Sequence, residues 1–202
     1  MKRKKFLLGA ILALSVSILA SCTGDNPSNT SNPDVTQPII DVKNVSDFKR
    51  AVNQNMSNVY TISTTAVMTD SGEVVYRNET SVSVTDRDTL SGSVSINKFT
   101  LNKSFKLEKR TTVTTFSNLD ASKLFTYQLD ENYFSESNLN NGVLTGKVKK
   151  ESASLFFNDS TLTVTDNPTF NFTLTDNYLT SLSVSYESDG KVVTINSSYV
   201  YY

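Results

Sequence analysis

The thiol of Cys22 is the side chain whose type and setting point most directly to a chemical reaction, and it is the only cysteine of the chain. It lies just after an apolar run over residues 6–20, which follows the basic residues 2–5. The small residues Ala20 and Ser21 separate that run from the thiol. A basic start, an apolar run and small residues before a processing point are typical of a secretory signal peptide. We therefore predict such a signal over residues 1–21.

The four residues Leu19-Ala20-Ser21-Cys22 resemble the lipobox of bacterial lipoproteins, in which a diacylglyceryl group is attached to the cysteine thiol. The resemblance implies cleavage between Ser21 and Cys22, lipid attachment at Cys22, and an extracytoplasmic protein anchored to the bacterial cell membrane. A transmembrane anchor fits less well, because the apolar run has 15 residues and a spanning helix needs about 20. Cleavage without lipidation would leave an unpaired thiol outside the cell.

The remaining side chains offer little for catalysis, because the chain has no histidine. Ser-His-Asp and Cys-His nucleophilic sites and histidine-containing zinc sites are therefore excluded. Paired carboxylates would be the remaining option, as in glycosidases. The acidic residues fall mostly in predicted turns, where Asp is common without catalysis: Asp70 with Glu73, Asp86 with Asp88, Asp130 with Glu131, and Asp189. We expect a protein that is not an enzyme, with no catalytic residue, no cofactor and no metal site.

The segment Asp86-Arg87-Asp88-Thr89 has a faint likeness to a calcium-binding loop. It lacks the downstream bidentate glutamate and the glycine at the sixth position, and Arg87 would repel a cation. A polar hairpin turn is the favoured interpretation of residues 86–89.

The charge of the chain limits its partners. All 20 acidic residues lie beyond residue 21, whereas four of the 19 basic residues lie before it, so the chain without its signal carries about −5. Such a chain has no general attraction for nucleic acid or anionic lipid headgroups. The basic residues cluster at Lys98, Lys103, Lys106, Lys109 and Arg110, and again at Lys147, Lys149 and Lys150. Protection of exposed strand edges explains them, and the alternative is an anionic headgroup held at a cavity mouth.

The chain after Cys22 divides into a polar segment and a folded domain. Three of the four prolines (Pro27, Pro33 and Pro38) lie between residues 23 and 40, among Ser, Thr, Asn and Asp. Such a composition buries too little apolar surface to offset the entropy of ordering. We predict a lipidated cysteine with a disordered tether over 22–40 and a folded domain over 41–202.

The domain begins with a helical pattern and continues with strands. Apolar residues recur at helical spacing in Val45, Phe48, Val52 and Met56, which predicts a helix over 46–57 with Ser46 as its N-cap. From residue 59 the period is two, which predicts strands at 59–69, 73–85, 91–97, 99–108, 110–117, 122–129, 132–136, 142–148, 160–166, 169–175, 178–187 and 191–201. A second short helix is predicted at 149–157. The predicted turns are Thr69-Asp70-Ser71-Gly72, Asp176-Asn177 and Ser188-Asp189-Gly190.

Several of these strands alternate apolar with hydroxyl side chains. Phe170, Phe172 and Leu174 point one way, for example, while Asn171 and Thr173 point the other. A sheet with one apolar and one polar face is antiparallel and solvated on one side, and so many strands must curl or close. We predict a mainly β (α+β) fold: a curved antiparallel sheet, half-barrel or barrel-like, with one N-terminal helix packed on it.

An N-terminal helix, an antiparallel meander and terminal hairpins on a tethered lipoprotein resemble the lipoprotein-carrier half-barrels of the LolA, LolB and LppX type. The resemblance covers about residues 44–202 and implies an apolar pocket for acyl chains under helices on the concave face. It assigns no functional residue here. Core packing is the simpler interpretation of the aromatic and sulfur-containing residues Met68, Phe125, Tyr127, Tyr133, Phe134, Phe156, Phe157, Phe170 and Phe172. For Tyr199, Tyr201 and Tyr202, packing and a contact surface both remain open.

The sequence leaves two functions open, both for a membrane-anchored, non-enzymatic protein. The first is the binding of a lipid or other hydrophobic ligand in the concave apolar face. The alternative is a surface interaction protein with a filled core, whose Ser/Thr-rich face binds protein or polysaccharide. A carrier needs a cavity of about 300 Å³ or more, whereas an interaction module has a close-packed interior.

Overall fold

The structure is a computed structural model that describes residues 39–101 and 107–202. The predicted signal peptide, the lipid site at Cys22 and the tether as far as residue 38 lie outside the described residues, as do Lys103 and Lys106. Within the described part of the chain, no helix is both long enough and apolar enough to cross a membrane.

Nine strands form one antiparallel sheet. They are β1 (Val59–Asp70), β2 (Glu73–Asp86), β3 (Ser91–Leu101), β4 (Leu107–Phe116), β5 (Phe134–Asn140), β6 (Val143–Val148), β7 (Thr169–Thr175), β8 (Tyr178–Ser188) and β9 (Lys191–Tyr201). Their order is β4-β3-β2-β1-β9-β8-β7-β6-β5. The strands β4 and β5 are the two edges, and the described residues form no pairing between them, so the sheet is open. The predicted antiparallel, mainly β fold is confirmed, but the sheet does not close into a barrel.

The helix α1 (Val45–Asn55) packs on the sheet and continues into a 3₁₀ turn, Met56–Asn58. All four residues of the predicted apolar stripe are buried. The predicted N-cap is wrong, because Asn44 takes that place: its Oδ1 accepts a hydrogen bond of 2.8 Å from the backbone N–H of Asp47. At the other end, Asn55 Nδ2 donates to the carbonyl of Asn177 at 3.0 Å and ties α1 to the β7–β8 turn.

Two-residue turns join four pairs of strands, and both residues of each have positive φ: Ser71-Gly72, Asn141-Gly142, Asp176-Asn177 and Asp189-Gly190. This is the type I′ geometry, whose twist matches that of the flanking strands and which favours Asn, Asp and Gly. The turns predicted at Ser71-Gly72, Asp176-Asn177 and Asp189-Gly190 are confirmed.

Other predicted strands have the wrong limits. A single strand, β3, runs on to Leu101 where the sequence predicted a break at 97–99, and β4 begins at Leu107. The strand predicted at 132–136 is a 3₁₀ turn, Glu131–Tyr133, followed by β5. Asp130 caps this turn, since its Oδ1 accepts from the N–H of Asn132 at 2.9 Å.

The crossover segment, residues 117–133, connects one edge of the sheet to the other and contains no strand. A strand was predicted at 122–129, but these residues form the 3₁₀ turn Ala121–Leu124 and extended chain. Phe125, Tyr127 and Leu129 are buried, while Thr126 and Gln128 between them are half-buried. Extended chain lying on a sheet face buries every second residue as a paired strand does, and this explains the error.

The second predicted helix is confirmed in part, as a 3₁₀ turn (Lys150–Ser152) that leads into α2 (Ala153–Phe156). The strand predicted at 160–166 is absent, and turns replace it. Two hydrogen bonds hold this stretch to the end of β8: Thr165 N–H donates to the Glu187 carbonyl at 2.8 Å, and Ser188 Oγ donates to the Thr163 carbonyl at 2.6 Å.

Gly146 on β6 has no room for a side chain. A Cβ there would lie 2.3 Å from the Glu136 carbonyl oxygen and 2.8 Å from Phe170 Cζ. The glycine therefore lets the Phe170 ring lie directly over β6, where it meets Phe134 at 4.7 Å between centroids.

We expect Phe172→Ala to lower the free energy of unfolding by about 3–5 kcal/mol, because the buried ring leaves a cavity among other aromatic rings. Phe172 is 0 % exposed. Val113→Ala is the control, since Val113 is 64 % exposed on an edge strand. Urea titration followed by circular dichroism measures both variants. Equal midpoints for them would show that the aromatic cluster is not the centre of the core.

Candidate functional site

The face of the sheet that carries the apolar side chains is called the covered face. Its residues include Ile62, Ala66 and Met68 on β1, with Tyr199, Ile195 and Val193 as their register partners on β9. The crossover segment and α2 lie against it. Their rings pack on β7 and β8: Phe125 and Tyr127 lie 6.0 and 5.5 Å from Phe172, and Phe157 lies 5.1 Å from Tyr186. The chain itself therefore fills most of the face on which the sequence predicted a ligand.

A pocket of about 60 Å³ remains on the covered face, between β1, β2, β9 and the crossover segment. Its lining residues are Ile62, Thr64, Ala66, Asn78, Thr80, Val82, Lys123, Leu124, Thr126, Tyr127, Ile195, Ser197 and Tyr199. Pockets for drug-sized ligands have volumes of about 300–1,000 Å³. This pocket is too small to enclose a lipid acyl chain.

Polar atoms without a partner lie in and beside this pocket. Asn78 Oδ1 and the Tyr127 hydroxyl, both pocket-lining, and the Tyr76 hydroxyl on the same face have no hydrogen-bond partner among the described residues. On the floor of the pocket, the register partners Thr64 and Ser197 share a hydrogen bond of 2.8 Å between Oγ1 and Oγ. A buried polar group without a partner costs about 1–3 kcal/mol, so these atoms are the least expected feature of the core.

Burial raises the pKa of the phenols of Tyr127, Tyr186 and Tyr199 well above the ordinary value of 10. Neighbouring phenols raise these pKa values further: Tyr186 raises the pKa of Tyr127, and Tyr127 raises the pKa of Tyr199. The physical cause is that a phenolate would lose its hydration in the core. All three groups are therefore neutral hydrogen-bonding groups at physiological pH.

The opposite face of the sheet, called the hydroxyl face, carries small polar side chains. Register partners on neighbouring strands point to the same side, and a row of six hydroxyl residues crosses β3, β2, β1, β9, β8 and β7 in that order: Ser95, Ser81, Ser63, Ser198, Ser181 and Thr173. None of them is buried. At about 4.8 Å between strands, this central row is about 24 Å long.

The hydroxyl face also carries charged and apolar side chains: Glu79 on β2 is the register partner of Thr65, and Val192 and Val200 on β9 are 44 % and 53 % exposed. On β2, Arg77 forms an ion pair of 2.5 Å with Glu79, and it lies 5.8 Å from the Phe99 ring. On the far side, Lys147 pairs with Glu136 at 2.7 Å. The row beside the central one consists of Glu79, Thr65, Asn196 and Ser183 on β2, β1, β9 and β8.

The basic residues singled out in the sequence do not form one site. Lys98 and Arg110 are register partners on β3 and the edge strand β4, and Lys109 on β4 lies 5.9 Å from the Phe99 ring. Lys147 and Lys149 lie near the opposite edge, where Lys149 Nζ donates to the Asn132 carbonyl at 2.9 Å. None of the described members of either cluster lines the pocket, whose one basic lining residue is Lys123.

The acidic residues considered for catalysis serve turns and ion pairs. Asp86 Oδ1 accepts from the backbone N–H groups of Asp88 and Thr89 at 3.0 and 3.2 Å, which confirms the polar turn at 86–89. Asp70 forms an ion pair with Lys191 at 2.5 Å, and this pairing lowers the pKa of the Asp70 carboxyl. In the described part of the chain, no three acidic or cysteine side chains gather where they could hold a metal ion.

Tyr199 and Tyr201 pack against the sheet, whereas Tyr202 is 56 % exposed and its ring lies 5.1 Å from that of Tyr60. Tyr199 is buried, the Tyr201 hydroxyl donates to the Leu179 carbonyl at 3.0 Å, and the Tyr202 hydroxyl donates to the Val84 carbonyl at 2.7 Å. The predicted core aromatic residues are buried too, except for half-buried Tyr133. The polar pocket residues Asn78, Thr64 and Ser197 were not singled out from the sequence. The sequence did contain one indication: Asn78 is an even number of residues from Tyr76 and Val82 on the same strand, so its side chain points to the same buried face.

Comparisons with known proteins identify no family. No protein-family model matches the chain, and no curated protein sequence matches it significantly. Among solved structures, the dehydratase domain from the CurF module of curacin polyketide synthase shares 7 % sequence identity, with 71 % of this chain and 75 % of that chain covered and a TM-score of 0.18. A likeness at that level bears on neither fold nor function.

We expect the protein to lose stability above about pH 10, because the unfolded state releases phenol protons that the folded state retains. Below that pH the contribution of Tyr127, Tyr186 and Tyr199 is fully present, since their folded pKa lies above the unfolded value. Phenolate absorbance and circular dichroism are recorded together during an alkaline titration, and the difference between the unchanged chain and Tyr199→Phe gives the absorbance change that belongs to Tyr199. Ionisation of Tyr199 while the circular dichroism is still that of the folded protein would contradict the raised pKa of this phenol.

Proposed function

We propose that this protein is a lipid-anchored, extracytoplasmic and non-enzymatic surface protein that binds a neutral polysaccharide through its hydroxyl face. The observation that carries the proposal is the central row of six hydroxyl residues across six strands, with hydroxyl and amide side chains beside it. The charged residues nearest the central row, Arg77 and Glu79 on β2, form an ion pair with each other.

The filled covered face favours this function over lipid carriage. The rings of the crossover segment and α2 lie on β7 and β8, where a carrier would hold acyl chains. The pocket that remains, of about 60 Å³, is several times smaller than the usual ligand cavity of about 300–1,000 Å³. The predicted binding of a lipid in an apolar cavity remains the alternative.

The composition of the hydroxyl face favours a polysaccharide over a protein. Protein interfaces are enriched in aromatic residues and arginine and depleted in serine, whereas serine and threonine make up the central row. Each hydroxyl both donates and accepts hydrogen bonds, as does each Asn amide group. A neutral polysaccharide presents hydroxyl groups at regular intervals, so it needs both hydrogen-bond donors and hydrogen-bond acceptors on the protein.

The rigid sheet lowers the entropic cost of such binding. The side chains of the central row are short and stand on paired strands, so few rotamers are lost when a ligand binds. Single hydroxyl contacts are weak, but a polymer that spans the row engages many at once. The expected behaviour is weak binding of single sugars and stronger binding of long chains.

The N-terminal sequence supports the location. A lipid on Cys22 would anchor the protein, because two acyl chains suffice for stable membrane binding. A tether over residues 23–40 would then hold the domain about 25 Å from the bilayer. The hydroxyl face would be presented to the polymers that surround a bacterial membrane.

We expect Cys22→Ser to abolish incorporation of labelled palmitate. The mature, membrane-bound form should disappear, and the chain should be found either in the soluble fraction or as the unprocessed precursor. The reason is that the serine hydroxyl does not replace the thiol that receives the lipid. Radiolabelling and fractionation of cells that express the full chain measure the effect. Ser21→Ala is the matched control, since alanine is equally small. Labelling of the Cys22→Ser variant would exclude the proposed anchor.

We expect Ser63→Arg combined with Ser198→Arg to weaken polysaccharide binding at least tenfold. The two serines are exposed register partners in the middle of the central row, so the long side chains would hold a polymer off the surface. Co-sedimentation with cellulose, chitin and starch particles provides the measurement. Ser160→Arg, on an exposed loop outside the sheet, is the control and should bind as the unchanged chain does.

Two results would contradict the proposed function. One is the absence of retention on any of the three polysaccharides. The other is a stoichiometric phospholipid or fatty acid found by native mass spectrometry on detergent-free protein, which would establish the lipid-carrier alternative. A single apo mass after incubation with phospholipids and fatty acids is the result we expect.

A further inference from the structure

The pocket on the covered face is independent of the hydroxyl face, because the two lie on opposite sides of the sheet. Its floor is formed by strands β1, β2 and β9, and its roof by the crossover segment at Lys123–Tyr127. Lys123 is exposed, and Thr80 and Thr126 are half-buried, so these residues mark its opening. The interior ends at Asn78 and Tyr127, which are 4 % and 5 % exposed.

Two polar side chains in this interior are more than nine-tenths buried, and each carries one oxygen atom without a partner. Neither Asn78 Oδ1 nor the Tyr127 hydroxyl has a hydrogen-bond partner among the described residues. Leucine at position 78 and phenylalanine at position 127 would fit the same apolar surroundings without an unpaired atom. A buried polar atom without a partner in the chain needs an explanation, and a partner from outside the chain supplies one.

The chemistry of the lining defines the ligand. The pocket offers the Asn78 amide, the Tyr127 phenol and the Thr64–Ser197 hydroxyl pair. It includes no carboxylate, and its one charged lining residue, Lys123, is exposed at the opening and outside the interior. The phenol is neutral, since burial raises its pKa. Apolar walls from Ile62 and Leu124 complete the pocket. This combination suits a neutral molecule with several hydroxyl groups and a carbon skeleton.

The volume limits the size of that molecule. A pocket of about 60 Å³ accommodates about four to six water-sized groups at about 10–15 Å³ each. This is the size of a three-carbon polyol or of one edge of a monosaccharide. We infer that the pocket binds a small neutral polyol or one edge of a single sugar unit, with Asn78 and Tyr127 as its hydrogen-bonding residues.

The test is a titration of the protein with glycerol, myo-inositol and glucose. Two-dimensional NMR spectra recorded at each step give the positions of the backbone and side-chain amide resonances. We expect at least one of these compounds to shift the Asn78 side-chain amide and the backbone amides of Lys123 and Thr126. Tyr127→Phe and Asn78→Leu should each weaken that binding at least tenfold. Both variants should also unfold at a higher urea concentration than the unchanged chain in the absence of ligand, because each removes an unpaired buried atom.

The control is Asn138→Leu, an exposed asparagine on the edge strand β5, which should leave the titration unchanged. Should Asn78→Leu fail to fold, Tyr127→Phe alone decides, since it keeps the ring and removes one hydroxyl. No shift of the pocket resonances with any of the three compounds would overturn the inference, and so would unchanged affinity in Tyr127→Phe. The Ser63→Arg and Ser198→Arg variant, altered on the other face, should bind these compounds normally, which separates this result from the polysaccharide test.

Discussion

The pairing of β1 with β9 is the interaction on which the rest of the structure depends. It joins the first strand of the chain to the last, from Val59 opposite Tyr201 to Asp70 opposite Lys191. On one side of this pair the strands β2 to β4 follow in sequence order, and on the other side β8 to β5 return in reverse order. Each half is a meander of local contacts, whereas the central pair closes a loop of more than a hundred residues and carries the entropic cost of doing so.

The register of this pair also determines the composition of both faces. Because side chains alternate along a strand, a slip of one residue would move Ser63 and Ser198 inward and Ile62 and Tyr199 outward. In the observed register the serines of both halves line up in one row, and the apolar residues meet the crossover segment. The two candidate surfaces, the hydroxyl face and the pocket under the crossover, thus depend on the same set of backbone hydrogen bonds.

Local signals identified most elements correctly and failed where a segment lies on the sheet without joining it. The helix stripe of Val45, Phe48 and Val52 and the two-residue turns rest on interactions between near neighbours, and the structure has the stripe and three of the four turns where the sequence predicted them. Residues 122–129 alternate like a strand because one side of extended chain is buried. Their pattern carries no information about hydrogen-bond partners. The pocket residues lie on three strands and a loop, and no local pattern brings Asn78 close to Tyr127.

The sequence by itself determined the fold class of this protein and restricted its chemistry. Its residue types exclude histidine-dependent catalysis, its N-terminus predicts a lipid anchor, and its period-two patterning requires an antiparallel sheet with one apolar and one hydroxyl face. Only the tertiary structure decided that the sheet stays open, that the crossover segment fills the covered face, and that serines from five strands form one row. The physical reason is that composition and periodicity act over a few residues, whereas strand order and register are set by contacts between distant parts of the chain.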